Sequence, residues 1–220
     1  MTKKTRPSAT QKRRRQTGQS SNRLWFVGLG VGVVVVLAAV IAVALASGQP
    51  NRAEPAEAPV IVTGTRLPDY PDSGTDPALG MQLPGLEGIG LDGSPMTISA
   101  DGRAKAIMIL AHWCPHCQAE VPRIVAWLAD NPVPEGVDVV GLSTAIDETR
   151  PNYPPSAWLE REGWQQPTFI DDASSIAYRA LGGMAFPGWV FVSADGTVQL
   201  RTTGELDPAE FGSILEQLAP

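Results

Sequence analysis

The chain has two cysteines, separated by two residues as Cys114-Pro115-His116-Cys117, where an apolar run meets a helical pattern. The run Ala104–Ala111 (AKAIMILA) has the length of a strand buried on both faces. Beyond the cysteines, Val121, Ile124, Val125 and Leu128 recur at the spacing of one helix face, through Ala129. A strand that delivers two thiols to the first turn of a helix leaves few architectures open. The C-x-x-C spacing lets one turn bring both sulfurs within bonding distance. It also places Cys114 at a helix N-terminus, where unpaired N–H groups and the macrodipole favour an anion.

The flanking sequence supplies the layers around that unit. Gly80–Ile98 predicts irregular structure and a hairpin turning at Leu91-Asp92-Gly93-Ser94. Val137–Leu142 predicts a second buried strand, Pro155–Glu162 a helix and Pro167–Ile170 a short strand. Ala173–Leu181 predicts another helix, closed by Gly182-Gly183. Gly188–Ser193 and Thr197–Thr203 predict a hairpin about Ala194-Asp195-Gly196, and Asp207 a cap on a last helix facing inward through Phe211, Ile214, Leu215 and Leu218. The expected class is α/β, a mixed sheet flanked by helices.

A second constraint lies upstream. Leu24–Ala46 carries no charge over 23 residues. At ~1.5 Å per residue such a helix reaches roughly 34 Å, enough for a hydrocarbon core of about 30 Å. Residues 1–23 hold eight basic side chains and no acidic one, while the rest of the chain holds nine basic against 23 acidic. That asymmetry, with Trp25 at the basic edge, predicts a cytoplasmic N-terminus and an external bulk. A basic tail alone would suggest nucleic acid, but its place before an apolar run makes it a topology signal, and no nucleic-acid partner is expected. A cleaved signal peptide is the competing reading, since Ala44-Leu45-Ala46 would serve as a cleavage site. The run exceeds the roughly 7–15 apolar residues of a signal-peptide core, which favours a retained anchor. The expected organisation is a basic cytoplasmic tail (1–23), a transmembrane signal anchor (24–46), a flexible linker rich in Pro, Ala, Gly and Glu (47–78), and a folded domain (79–220). Within the linker, Val60–Thr63 reads equally as a short strand or a sticky piece of spacer.

Thiolate is the nucleophile of disulfide exchange, so a helix start that favours the Cys114 anion favours attack there. His116, between the cysteines, can be cationic and donate to the same thiolate. Stabilising the thiolate stabilises the reduced form and makes the disulfide a stronger oxidant. A purely structural bridge is the plain alternative, yet one across so short a loop restrains the unfolded chain by only about 2 kcal/mol. A metal carrier is another: His112, Cys114, His116 and Cys117 are donors suited to Cu(I) or Zn(II). One helix turn cannot easily aim all four at one ion, and no distant ligand group completes the set, so neither a metal nor another cofactor is expected.

The segment Ile107–Pro122, IMILAHWCPHCQAEVP, resembles the active-site segment of thioredoxin-fold proteins. With Glu120 and Pro122 after the second cysteine, it is similar to the exported, membrane-anchored TlpA-like redoxins, a group that includes redoxins of cytochrome c maturation and some disulfide-forming proteins. The C-P-H-C tetrad is that of the DsbA-type periplasmic oxidant. Gly183–Gly196, GMAFPGWVFVSADG, resembles the family's loop, cis-proline, strand and turn. The resemblance spans roughly residues 79–219. It implies a thioredoxin-like fold, a redox disulfide between Cys114 and Cys117, a cis-proline at Pro187 facing it, and Pro115 and His116 as the tuning pair. It also implies Glu120 as proton acceptor, and Trp113 and Phe186 at the partner-binding groove. Met108 stands where the fold often buries an acidic or polar residue, and Gly188 follows Pro187 where Thr or Ser is usual.

These readings combine into extracytoplasmic thiol–disulfide exchange with cysteine-containing exported proteins, on a protein held in the cell membrane through residues 24–46. Disulfide donation is the favoured direction, with re-oxidation by a membrane or exported redox partner. The mirror image is a reductant of protein disulfides, for example in apocytochrome c, fed by a membrane electron donor.

Overall fold

The computed structural model describes residues 59–220. The expected tail, the span and the first part of the linker lie outside the described residues. Among those described, no helix is long and apolar enough to cross a membrane.

Among the described residues, eight strands and four helices follow in chain order. They are β1 (Ile61–Thr63), β2 (Gly85–Gly90), β3 (Pro95–Ile98), β4 (Ala104–Leu110), α1 (Pro115–Asp130), β5 (Val137–Ser143), α2 (Pro155–Arg161), β6 (Thr168–Ile170), α3 (Ile176–Ala180), β7 (Gly188–Val192), β8 (Val198–Thr203) and α4 (Pro208–Leu218). The sheet order is β1-β2-β6-β5-β4-β7-β8, with β3 on β2. β4, β5 and β6 run parallel, and β7, β8 and β2 are antiparallel to their neighbours. This is a mixed α/β sheet, the class that the sequence pattern predicts, in the thioredoxin-like form that the resemblance implies.

β4 is buried along its whole length because both sheet faces are covered. Its Ala106, Met108 and Leu110 join a core with Val121 and Ile124 of α1 and Phe211 and Leu215 of α4. Ile107 and Ile109 point to the opposite core, with Leu142, Phe169, Ala177 and Leu181. Lys105 is the exception in composition, and its ammonium is held 2.7 Å from Asp101 and 3.3 Å from Asp138. A continuous apolar run is what a strand covered on two faces requires.

Two boundaries differ from expectation. The segment to residue 78 is not a free spacer: it is folded from Ile61, which pairs with Glu87 of β2. Its backbone then bonds to the C-terminal end of α3 (Ile176–Ala180) and the turn after it, with Leu67 N–H donating to Ala180 O and Tyr70 N–H to Gly182 O. Asp76 closes the arm by accepting from the buried Arg201 of β8, Nε to Oδ2 at 2.8 Å, and that guanidinium holds its carboxyl below the usual range. Arg201 also donates to the carbonyls of Pro68 and Leu181. A composition rich in Pro and Gly concealed single anchors of this kind. Gly182, at φ +93°, is required here, since a Cβ would stand 2.2 Å from Arg201 Nη1 and 2.3 Å from Pro68 O.

The second difference is α3, which starts at Ile176 rather than Ala173. Asp172 Oδ1 accepts from Ser174 and Ile176 N–H, and Ser175 takes a left-handed φ of 54°. Asp171 accepts from Ala177 and Tyr178 N–H. Carboxylates that satisfy the first-turn donors favour a turn over another turn of helix.

Candidate redox site

β4 ends at Leu110, and Cys114 is the N-cap of α1, with φ −74° and ψ 120°. Pro115 is the first helical residue, a position that its fixed φ and missing N–H suit. Cys114 Sγ lies at the helix start and donates to the Phe186 carbonyl at 3.6 Å, although the two residues are 72 apart in sequence. Phe186–Pro187 is a cis peptide, as the resemblance implies for Pro187. The strand register explains the meeting: Ile109 of β4 pairs with Gly188 of β7, so the chain before β7 ends beside the chain after β4.

The two cysteines are both thiols here and differ in surroundings. Cys114 keeps 6% exposure and Cys117 keeps none. Burial pushes the Cys117 thiol well above its ordinary value, and the neighbouring Cys114 and Glu120 push the same way.

Glu120 is fully buried, not a solvated helix residue. Its Oε1 accepts from Trp189 Nε1 at 3.0 Å and from Leu206 N–H at 2.8 Å. Its Oε2 is buried with no hydrogen-bond partner among the described residues. Burial raises the Glu120 pKa, against the lowering effect of these two donors. Trp189 sits on β7 opposite Met108. The apolar Met108 thus leaves the acidic function in this region to a helix side chain held by an indole.

His116 is not directed as expected. Its Nδ1 is 2.8 Å from Glu205 Oε1, while Arg123 Nη2 lies 2.6 Å from Glu205 Oε2. His112 is buried, with Nδ1 2.7 Å from Pro151 O and Nε2 accepting from Asp147 N–H at 3.2 Å. Both histidines of the metal-carrier reading are therefore engaged elsewhere. Among the described residues, no three His, Cys, Asp or Glu side chains are grouped to hold an ion.

Trp113 and Phe186 meet edge to face, with centroids 6.0 Å apart at 83°. Trp113 Nε1 donates to Ala145 O, and the Arg150 guanidinium lies 4.3 Å above its ring. Both rings are half-buried and pack against the core cluster that includes Cys114. Tyr178 stacks obliquely on Phe186 and its hydroxyl donates to Met184 O.

The sequence profile of the Redoxin family matches residues 63–218. The chain belongs to the Redoxin family. The match begins at β1 and ends at the last residue of α4, the same extent that the hydrogen-bonded fold shows. With its two helix-start cysteines, this redoxin is a thiol:disulfide oxidoreductase. No curated protein matches it. Among solved structures it is similar to a thiol:disulfide interchange protein of Chlorobium tepidum TLS, at 24% identity and a TM-score of 0.53, covering 64% of this chain and 97% of that one. It is also similar to a secreted Mycobacterium tuberculosis disulfide oxidoreductase homologous to E. coli DsbE, at 24% identity and 0.51, covering 60% and 95%. StoA of Bacillus subtilis matches at 14% identity and 0.51, covering 63% and 98%. These likenesses are of fold.

Glu205, Leu206 and Tyr178 carried no signal in the sequence, and Trp189 lay in the 183–196 segment with no role assigned to it. Each reaches the site from a distant segment, and only the sheet order brings them there.

Proposed function

We propose that this redoxin is anchored in the cell membrane by residues 24–46, with its N-terminus in the cytoplasm. Its redox domain then works outside, donating disulfides to cysteine-containing exported proteins. One observation carries the chemistry: Cys114 stands at a helix start against the Phe186 carbonyl, while Cys117 is wholly buried with its thiol form favoured. That asymmetry suits a dithiol in which one sulfur meets the substrate and the other resolves.

In the oxidised protein a substrate thiolate attacks Cys114 Sγ. The Cys114–Cys117 bond breaks, its electron pair leaves on Cys117, and Cys117 takes a proton. A second substrate thiolate then attacks the substrate sulfur of the mixed disulfide, and the pair leaves on Cys114 as thiolate. The substrate gains a disulfide and loses two electrons, which the protein carries as its reduced pair. A membrane or exported redox partner removes them. Glu120, whose pKa burial raises and whose charge acts on Cys117, is the proton source for the first step. The Trp113 and Phe186 rings form the surface on which the substrate peptide rests.

The reductant direction has one observation in its favour. His116 is paired with Glu205, which weakens its support for a Cys114 thiolate. Equilibrating the full-length protein with glutathione buffers decides between the two. The expected reduction potential lies above about −220 mV, whereas thioredoxin lies at about −270 mV. A value at or below that of thioredoxin would make the protein a reductant.

A further inference from the structure

We propose that Glu205 is a positioning residue that sets the reduction potential of the Cys114–Cys117 pair by holding His116 away from the Cys114 thiolate. The proposal rests on the redox reading of the dithiol and deepens it.

Glu205 lies in the connector between β8 and α4, and three consecutive residues of that connector touch the site. Gly204 N–H donates to the carbonyl of Pro187. The Glu205 carboxylate takes His116 Nδ1 on one oxygen and Arg123 Nη2 on the other, at 2.8 and 2.6 Å. Leu206 N–H donates to the buried Glu120 Oε1. The connector is therefore anchored on both sides of Glu205, and Arg123, also on α1, holds the carboxylate from a second direction. A carboxylate so fixed can hold its other partner, His116, in place.

That partner is the group best placed to move. The His116 side chain is 70% exposed, and among the described residues its hydrogen-bond partner is Glu205. It lies between the two cysteines in the first turn of α1. Released from Glu205, the imidazole can rotate about its own side-chain bonds toward the Cys114 sulfur. A protonated imidazole there stabilises the thiolate through charge and a hydrogen bond. With Glu205 in place, the anionic carboxylate also offsets the imidazolium charge seen from Cys114. The Glu205 pKa is lowered, chiefly by the His116 hydrogen bond. Both effects have one sign. Glu205 holds the dithiol less oxidising than its C-P-H-C sequence alone would make it.

The test is a double-mutant cycle on the full-length protein in detergent micelles, read as the dithiol–disulfide equilibrium with glutathione. Glu205→Gln keeps the shape of the side chain and removes its charge. It should shift the equilibrium roughly tenfold toward the dithiol, about 30 mV upward in potential. In a His116→Ala background the same change should move it by less than about twofold, a shift of roughly 10 mV. A role limited to fold stability would not move the potential in a His116-dependent way. No shift in the native background, or an equal shift in both, would overturn the proposal. A native protein that failed to equilibrate with glutathione at all would overturn the redox reading beneath it, which is a distinguishable result.

Discussion

Burial separates two cysteines that look alike in the sequence. Cys114 meets a carbonyl at the helix start, while Cys117 is sealed into the core and its thiol form favoured. The spacing of the pair and the helix periodicity after it suffice to place Cys114 at the N-cap. They cannot show that Cys117 and Glu120 share a buried environment, because that depends on Trp189 and Leu206 from distant segments. Nor does the tetrad reveal the direction of His116, since its partner Glu205 arrives only when β8 has turned into α4. For Glu120, the folded-state pKa is raised, so the fold favours the neutral carboxyl. The stability from that preference is fully present below the ordinary glutamate pKa and is lost as pH rises through the raised folded value. Glu120→Gln is neutral throughout and should therefore not show this loss. Its unfolding free energy should stay within about 1 kcal/mol of the native protein. Its disulfide exchange should slow about tenfold, because an amide cannot pass a proton to Cys117. Stopped-flow exchange rates that match the native protein between pH 6 and 8 would reduce Glu120 to a structural residue.

Elements built on periodic patterns lie close to where those patterns put them. α1, α2, α4 and the central strands agree within a residue or two of the expected bounds, because each is decided by an apolar face or an unbroken apolar run. The failures have different causes. α3 lost its first turn to Asp171 and Asp172, whose carboxylates satisfy local N–H groups. The arm from Ile61 to Ala78 was obscured by its Pro and Gly content. What fixes it is pairing with β2 and a buried Asp76–Arg201 clamp, neither of which has a periodic signature. The apolar run Leu24–Ala46 is a different sort of element, defined by length and by the basic residues before it. Protease accessibility in intact spheroplasts should degrade the domain from the outside and spare the basic tail. Protection of residues 61–218 would reverse the topology, and recovery of a mature chain starting near Ser47 would show that the anchor is cleaved.

At the scale of the whole molecule, the site is a product of strand order. β4 lies between β5 and β7, and the register that sets Ile109 beside Gly188 carries Pro187 and the Phe186 carbonyl to Cys114. The fold class was legible because each local pattern called for a covered mixed sheet, and the two cysteines marked which strand end mattered. The arrangement of β8, the 204–206 connector and the β1 arm around that end was not, since these contacts join segments with no shared pattern. The proposed exchange divides its labour between a substrate-facing Cys114 and a sheltered Cys117. It is tested most directly by expressing full-length Cys117→Ser and Cys114→Ser proteins, trapping thiols by alkylation, and resolving adducts on non-reducing gels. Cys117→Ser should accumulate mixed disulfides through Cys114, reversible by reductant, and Cys114→Ser should accumulate none. Adducts formed through Cys117 alone, or by neither variant, would contradict the account.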